Sequence, residues 1–410
     1  MKQTQPPVRK QREAVLTTLR NSKMARSAHA YVRGNTLKFY EWLDETDPAT
    51  LPVGPAVWIC GDCHVGNLGP VADSDGKIEI QIRDFDQTVI GNPAHDLIRL
   101  GLSLATAVRS SALPGVTTAE MIEQMVAGYS EAFAGDAHAA SLPDQPIAVQ
   151  MAMKDSQRRS WKHLARERMN GNPARLPIGK AFWPLAARER ASVARLFAQP
   201  AMQELARRLG SRDDDAIVTI LDAAYWRKGC SSLGLLRVAA LLDVGHAATS
   251  GKDMCLIDIK EAVTAAAPRY ARQAMPRNNA RRVLAGAQQM SPHLGQRMVA
   301  TELLERPAFI RELLPQDLKL EIERVTCKEA MRVARYLARV VGDAHARQMD
   351  SSTRQAWRKD LLANRSKQLD APSWLWASVV ELVAFHERGY LEHCRRYALE
   401  AAVRANQNDS

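Results

Sequence analysis

The chain has 410 residues, of which 46% are hydrophobic and 25% are charged, proportions that are ordinary for a globular protein. No apolar run approaches the ~18 residues that a membrane span needs. Residues 1–13 are polar and do not predict a secretion signal, and six scattered cysteines do not make a disulfide framework. We therefore expect a cytoplasmic protein without a membrane span.

Positive charge is concentrated in one part of the chain. The formal net charge is +11, and residues 154–208 contain 13 Lys or Arg against 4 Asp or Glu. A basic surface attracts phosphates, nucleic acid or acidic lipid, but the same residues could simply form the solvated faces of helices. The charge indicates a polyanionic partner without identifying it.

The apolar spacing predicts a mostly helical chain. Helical periodicity is found over residues 15–43, 96–108, 117–133, 187–209, 278–290, 321–349 and 374–397. The first of these segments is interrupted near Gly34. Thr117 and Glu120 have the spacing of a capping box that opens the third.

Strands are predicted in two places only. Residues 58–60 and 78–82 lie on either side of the turn sequence Asp-Ser-Asp-Gly at residues 73–76, which predicts a hairpin. Residues 235–243 and 254–260 predict a second pair of strands, joined by a Gly/Ser-rich turn.

Two short stretches contain the residue types of kinase chemistry, Cys60-Gly-Asp62-Cys-His-Val-Gly-Asn67 and Ile82-Arg-Asp84-Phe-Asp86. Phosphoryl transfer needs one carboxylate to accept or orient the substrate hydroxyl, and an amide oxygen and a second carboxylate to hold the metal ion. Asp62 and Asn67 have the offset of the kinase catalytic loop, and Asp84 follows them as the metal-binding Asp does. Oxygen ligands suit Mg²⁺ or Mn²⁺.

One further residue in each stretch, His64 in the first and Asp86 in the second, allows alternative interpretations. His64 orients Asp62 or contacts a phosphate, or it is simply a packed, hydrogen-bonded histidine. Asp86 binds a second metal ion or caps the next turn. Cys60-x-x-Cys63-His64 also matches c-type haem attachment, but that role needs an oxidising compartment, and no second Cys/His pair lies at zinc spacing.

The nucleotide-binding parts of a kinase have counterparts later in the chain. Lys228-Gly229-Cys-Ser231-Ser232-Leu-Gly234 leads into a predicted strand, and Lys260 lies on the next one. Glycines permit close approach to phosphates and the serines add donors, while Lys260 would neutralise phosphate charge. The alternative for the glycines is an ordinary hairpin entry. No P-loop is present, because Gly179-Lys180 is followed by Ala.

Two further residues are candidates. Arg33 could reach the phosphates or a substrate, or form an ion pair that braces the N-terminal helix. Asp96 is either the N-cap of a helix or a functional group, because Gly91-Asn-Pro-Ala-His-Asp96 resembles the segment in which aminoglycoside-phosphotransferase-like kinases place a structural Asp.

These motifs together resemble the bacterial domain-of-unknown-function family 2252, which is grouped with the protein-kinase-like superfamily. The shared motifs are Tyr31-Val-Arg33-Gly34, Cys60-Gly-Asp62-x-His-x-x-Asn67, Asp84-Phe-Asp86, Asp96-Leu-x-Arg99, the loop from Gly229 to Gly234, Ile259-Lys260-Glu261-Ala and Ala344-His-Ala-Arg347. The resemblance implies an α+β, mostly helical, circularly permuted kinase-like fold with two lobes. The catalytic loop would come first and the nucleotide-clamping lobe would follow.

The implied organisation has five segments. They are an N-terminal helical segment (1–44), a larger lobe with the catalytic loop (45–135), a basic insertion or linker (136–214, with a loop at 169–184), a smaller lobe (215–322), and helices that complete the larger lobe (323–410). Helix 278–290 lacks the acid that pairs with the lysine in kinases. Either Glu302 or Glu305 substitutes for it, or Lys260 is held differently, or activity is reduced.

Three functions remain open. The first is an ATP- and Mg²⁺-dependent phosphotransferase that acts on a small-molecule hydroxyl, favoured because no activation segment with a clear phosphosite follows Asp84. The second is a protein kinase or an AMP-transferring enzyme. The third is a non-catalytic module that binds a nucleotide, or binds nucleic acid through residues 154–208.

Overall fold

The computed structural model describes residues 9–109, 113–134, 145–169, 175–209, 211–230, 232–245, 254–320, 325–363 and 370–408. Helices make up about 52% of the described residues and accompany a six-stranded antiparallel sheet, so the α+β, mostly helical class is confirmed. Within the described ranges, every helix is too short or too polar to cross a bilayer.

Helices form where apolar residues recur at helical spacing. They are α1 (Arg9–Met24), α2 (Ala28–Gly34), α3 (Thr36–Glu45), α4 (Pro93–Arg109), α5 (Val116–Glu131), α6 (Ile147–Arg158), α7 (Trp161–Met169), α8 (Ala187–Phe197), α9 (Pro200–Arg207), α10 (Asn279–Met290), α11 (Pro292–Gln296), α12 (Cys327–Ala346), α13 (Ser351–Leu362) and α14 (Ser373–Asn408). The break near Gly34 is confirmed, since Asn35 ends α2 and caps α3. The helix expected over 187–209 is divided in two, because Pro200 has no N–H with which to continue α8.

Strands are more numerous than predicted. They are β1 (Val57–Ile59), β2 (Leu68–Ala72), β3 (Ile78–Ile82), β4 (Val89–Gly91), β5 (Phe182–Pro184), β6 (Val218–Trp226), β7 (Arg237–Val244), β8 (Met254–Glu261), β9 (Met298–Leu303) and β10 (Arg306–Leu313). The main sheet has the order β5-β6-β7-β8-β10-β9. Its central strands β7 and β8 are covered on both faces, because alternate residues belong to two different apolar clusters.

The two predicted strand pairs have different outcomes. β7 and β8 pair as expected. The turn at residues 73–76 also forms, but its first strand is β2 and not residues 58–60. β1 pairs instead with β4, with Trp58 opposite Ile90. The sequence of β2 has a weak strand signal, because Gly69 and Pro70 are unfavourable in strands.

The hairpin β9–β10 was not expected from the sequence. Its turn consists of Leu304 and Glu305, which both have positive φ angles. Two-residue hairpin turns with this conformation usually contain Asn, Asp or Gly, so no turn signal is visible here. Part of the expected loop 169–184 is likewise strand β5.

The capping box predicted for Thr117 and Glu120 is wrong. α5 begins directly after Gly115 without a side-chain cap. Thr117 is buried, with its Oγ1 3.5 Å from Cys327 Sγ at the start of α12. Packing between these two helices therefore determines the environment of Thr117.

α5 and α12 approach so closely that a Cβ at Gly128 would collide with the carbonyl oxygen of Arg335. We expect Gly128→Ala to lower the free energy of unfolding by about 1–3 kcal/mol through overpacking, as measured by urea unfolding. Gly115→Ala is the matched control, because a Cβ there meets nothing within 4 Å. Equal losses in the two variants would contradict this account of the helix contact.

Candidate active site

The loop that carries Asp62 turns sharply at Gly61. Gly61 has a φ of +75°, which glycine adopts without the strain of a Cβ, and a Cβ there would also collide with the backbone of Gln87. The hydroxyl of Tyr40 donates a hydrogen bond to the Gly61 carbonyl. The turn directs Asp62 and Asn67 to the same cleft.

The carboxylate of Asp96 fixes the backbone of this loop through hydrogen bonds. It accepts the backbone N–H of Cys60 at 2.7 Å and that of Gly61 at 2.9 Å, and it lies 3.2 Å from His345 Nε2. The side chain of Asn92, and not Asp96, accepts a free N–H in the first turn of α4. Asp96 is therefore a buried support for the loop that carries Asp62, and His345 is part of that support.

Asp62 is held by two side chains from the preceding and following helices. Arg99 Nε lies 3.0 Å from Oδ1, and the hydroxyl of Thr36 donates to Oδ2 at 2.9 Å. Burial raises the pKa of Asp62, while the charge of Arg99 and the hydrogen bonds from Arg99 and Thr36 act in the opposite direction. The carboxylate is thus oriented and partly desolvated.

His64 has the features of a packed, neutral residue. Its Nε2 lies 3.9 Å from Asp62 Oδ2, which is beyond hydrogen-bond distance. Burial and the charges of Arg99 and Arg33 lower the pKa of His64 well below its ordinary value. In the described part of the chain its Nδ1 is buried without a partner.

Two of the three predicted metal-binding residues, Asp84 and Asp86, contact a buried lysine. Lys260 Nζ lies 3.3 Å from Asp84 Oδ1 and also pairs with Asp86 Oδ2, while the other oxygen of Asp86 is buried with no partner among the described residues. Asn67 donates its amide N–H to the Asp62 carbonyl at 3.0 Å and lines the cleft.

The surroundings shift the pKa values of Asp84 and Asp86 in opposite directions. Burial alone would raise the pKa of Asp84, but the charges of Lys260, Arg311 and Arg237 lower it below its usual range. Burial and the charge of Asp84 raise the pKa of Asp86. Asp84 is therefore the more strongly ionised member of the pair.

Lys260 is held differently from a kinase lysine. Within the described ranges, the carboxylates within 4 Å of its Nζ belong to Asp84 and Asp86. Glu302 is exposed, and Glu305 forms an exposed pair with Arg188 at 3.2 Å. Neither glutamate replaces the missing helix acid.

α10 contributes a buried cation to this region. Arg282 is buried and donates to the carbonyls of Thr88, Asp86 (3.0 Å) and Val263 (2.8 Å). These carbonyls belong to the segment that follows Asp84 and to the segment that follows β8. Arg282 therefore fixes the backbone of the segment after Asp84 against the segment that follows β8.

A buried ion cluster connects the sheet to the same loop. Asp258 on β8 accepts two hydrogen bonds from Arg237, at 2.8 and 2.5 Å, and lies 3.2 Å from Arg311. Arg311 also donates to the carbonyl of Arg83 at 2.8 Å. Burial alone would raise the pKa of Asp258, but the two arginines lower it far below its usual range.

The glycine-rich connection reaches the cleft only in part. Gly229 and Gly234 have φ angles of +95° and +109°, so both need glycine. Ser232 is buried and lines the cleft with Asp62, whereas Gly234 lines another cavity on the sheet. Ser231 lies outside the described residues.

Arg33 lies against the loop that carries Asp62. Its Nη2 is 2.7 Å from the position that a Cβ would take on Gly66. Among the residues that the structure describes, it has no carboxylate within ion-pair distance, so the bracing ion pair considered for it does not form there.

The cleft is a small cavity between these groups, of about 70 Å³. Its lining consists of Thr36, Asp62, Asn67, Asp84, Asp86, Gln87, Ser232, Leu235 and Val263. The roles of Thr36, Arg99 and Arg282 were not predicted, and only Arg99 has a sequence signal, its place in the motif Asp96-Leu-x-Arg99. No cluster of three or more His, Cys, Asp or Glu side chains suited to a metal ion occurs within the described ranges.

The fold and the site together describe an α+β protein in which a buried lysine pairs with two aspartates. The chain belongs to the family described as uncharacterized protein conserved in bacteria (DUF2252), which it matches over residues 12–396. Comparisons with curated proteins and with solved structures found no significant match.

Asp96→Asn provides a test of the loop support. The amide has one acceptor oxygen, so one buried N–H of Cys60 or Gly61 loses its partner, and we expect the free energy of unfolding to fall by about 1–3 kcal/mol. Asp350→Asn makes the same chemical change at the exposed N-cap of α13, where Asn is an equally good cap. Urea unfolding that shows equal effects would contradict the role of Asp96.

Proposed function

We propose that this protein is a circularly permuted kinase-like phosphotransferase that uses ATP and Mg²⁺ or Mn²⁺ to phosphorylate a small-molecule hydroxyl. One observation carries the proposal. Lys260 on β8 and Asp84, 176 residues apart in the chain, meet at 3.3 Å. Asp62 and Asn67 line the same small cleft as Asp84.

The chain order of the sheet also supports a kinase-like lobe. In protein kinases a glycine-rich loop precedes a strand with the phosphate-binding lysine, and a helix that partners that lysine also belongs to the site. Here β6 and β7 are joined by the connection containing Gly229 and Gly234, β8 carries Lys260, and α10 follows. The Asp62 loop comes earlier in the chain, which is why the proposal requires permutation.

Four residues have assigned roles in the proposed reaction: Asp62, Arg99, Thr36 and Lys260. The hydroxyl oxygen of the acceptor attacks the γ-phosphorus of ATP, its proton passes to Asp62, the bond from the γ-phosphorus to the β,γ-bridging oxygen breaks, and ADP leaves. Arg99 and Thr36 orient Asp62 for this transfer. Lys260 would bind phosphate oxygens.

The cleft fits a divalent cation through Asn67, Asp84 and Asp86. The partnerless buried oxygen of Asp86 supports this assignment, because carboxylate and amide oxygens are ligands that Mg²⁺ accepts. When bound, the ion would neutralise charge on the phosphates.

Nucleotide binding requires the cleft to widen. Its volume of about 70 Å³ is well below the roughly 300–1,000 Å³ of small-molecule sites. Lys260 fills the position between the two carboxylates, so its ammonium group must move toward the phosphates when a cation enters. Asp84 and Asp86 remain neutralised during this exchange, because one cation replaces another beside them.

Thermal unfolding with and without Mg·ATP tests the nucleotide site. A ligand at 100 times its Kd stabilises a fold by about 2.7 kcal/mol, and we expect a Mg²⁺-dependent rise of the Tm in the wild type. Asp84→Asn should remove the Mg²⁺-dependent part of that rise, whereas Asp350→Asn should keep it. An unchanged shift in Asp84→Asn would refute the metal assignment, and no shift in the wild type would favour a non-catalytic module.

Isotopically labelled ATP distinguishes the chemistries. Incubation with a small-molecule fraction should transfer label from the γ-phosphate and not from the α-phosphate, which an AMP-transferring enzyme would use. Asp62→Asn should lower the transfer rate by about 10²–10⁴-fold and keep the Mg·ATP thermal shift. Label in protein, or α-label in products, would support the alternative of a protein kinase or an AMP-transferring enzyme.

A further inference from the structure

A loop of residues 314–320 is positioned by the basic insertion. Ser156 Oγ donates to the Gln316 carbonyl at 2.7 Å, and Arg159 Nε donates to the Pro315 carbonyl at 2.7 Å. These two residues lie at the end of α6 and just after it, so α6 and α7 are anchored on this loop.

The opposite side of this loop contacts the hairpin formed by β2 and β3. Arg83 Nη2 donates to the Asp317 carbonyl at 2.9 Å, and a Cβ at Gly69 would collide with the carbonyl oxygen of Leu318. Gly69 is in β2, which begins directly after the Asp62 loop. Lys319, the next residue after Leu318, therefore lies beside that loop and is exposed.

Lys319 lies close enough to Arg33 and Arg168 for the charges of both to lower its pKa. We call these three cations, which come from distant parts of the chain, the cationic arc. Arg33 lies against Gly66 of the catalytic loop, and Arg168 is in the last turn of α7. In the described part of the chain none of the three has a carboxylate within ion-pair distance. The Nε of Arg168 is buried without any partner.

Other cations close to these residues are paired. Elsewhere in the basic insertion Arg159 pairs with Glu167 at 2.7 Å, and on the sheet Arg237 and Arg311 share Asp258. Although Lys319 reaches solvent, the protein around it and the charges of Arg33 and Arg83 lower its pKa to about 8. The charge of Asp84 acts in the opposite direction on this pKa. Like charges held close together destabilise the fold, and an anionic ligand would lower that cost.

We infer that the cationic arc binds the anionic group of the acceptor, and that the acceptor is a small phosphomonoester that also bears the reactive hydroxyl. The inference rests on the proposed function, because it assigns the arc to the Asp62 side of the cleft and leaves Lys260 to the nucleotide. Three cations match a dianionic phosphate better than a single carboxylate. Guanidinium groups bind phosphate oxygens in a bidentate manner.

Calorimetric titration with inorganic phosphate tests the arc. It is performed at constant ionic strength, with and without saturating Mg·ADP, on the wild type, Arg33→Gln, Lys319→Gln and the control Lys162→Gln. Lys162 is exposed on α7, in the same basic stretch. Each arc variant should weaken phosphate binding by about tenfold, the effect of one charge-assisted hydrogen bond, while the control and the affinity for Mg·ATP stay within about twofold.

Four results would overturn the inference. They are no phosphate binding beyond that of chloride, an equal loss in Lys162→Gln, an equal loss of Mg·ATP affinity in the arc variants, or loss of phosphate binding when Mg·ADP saturates the protein. Steeply salt-dependent binding of a single-stranded oligonucleotide that phosphate does not displace would assign the arc to nucleic acid instead. Phosphate binding that depends on Lys319 in a protein that does not bind Mg·ATP would sustain the anion site and refute the proposed phosphotransferase.

Discussion

The burial of Lys260 constrains the structure more than any other interaction. Its side chain is only 3% exposed, and a buried ammonium group is very costly unless it is paired with an opposite charge. Asp84 and Asp86 provide that charge from a loop far away in the sequence. The strand β8 and the segment after β3 must therefore come together, and the cleft forms where they meet.

Arginines complete this arrangement by binding backbone carbonyls. Arg282 donates to the carbonyls of Asp86 and Thr88, Arg311 donates to that of Arg83, and Arg99 joins the Val32 carbonyl to the carboxylate of Asp62. A carbonyl next to a functional aspartate fixes the direction of its side chain. Two aspartates neutralise Lys260, and Arg282 of α10, a helix without acidic residues, holds the backbone of the second of them.

Local sequence signals predicted the parts of this structure that depend on short spacing. The turn at residues 73–76, the pairing of β7 with β8 and the break near Gly34 all rest on neighbouring residues, and all are found. The turn at Leu304 and Glu305 has no such signal, because its positive φ angles are held by the pairing of β9 with β10.

In the candidate site, too, only the features that rest on residues close in the sequence could be predicted. The offset of Asp62 and Asn67 is visible in the sequence, whereas Thr36, Arg99 and Arg282 reach their partners from 26, 37 and about 200 residues away, a separation at which helical and strand periodicity carry no information. Their roles follow from burial and tertiary contact, which a single sequence does not reveal.

The charges on the two sides of the cleft complement one another. The aspartate pair needs a cation, and Lys260 supplies it at present; the cationic arc needs an anion, and no described carboxylate supplies one. A divalent cation bound to a nucleotide, together with a phosphorylated acceptor, would satisfy both requirements at once. Binding of an anion would then relieve the repulsion within the cationic arc, and the cost of holding these like charges together in the free protein would become selectivity for ligands of the opposite charge.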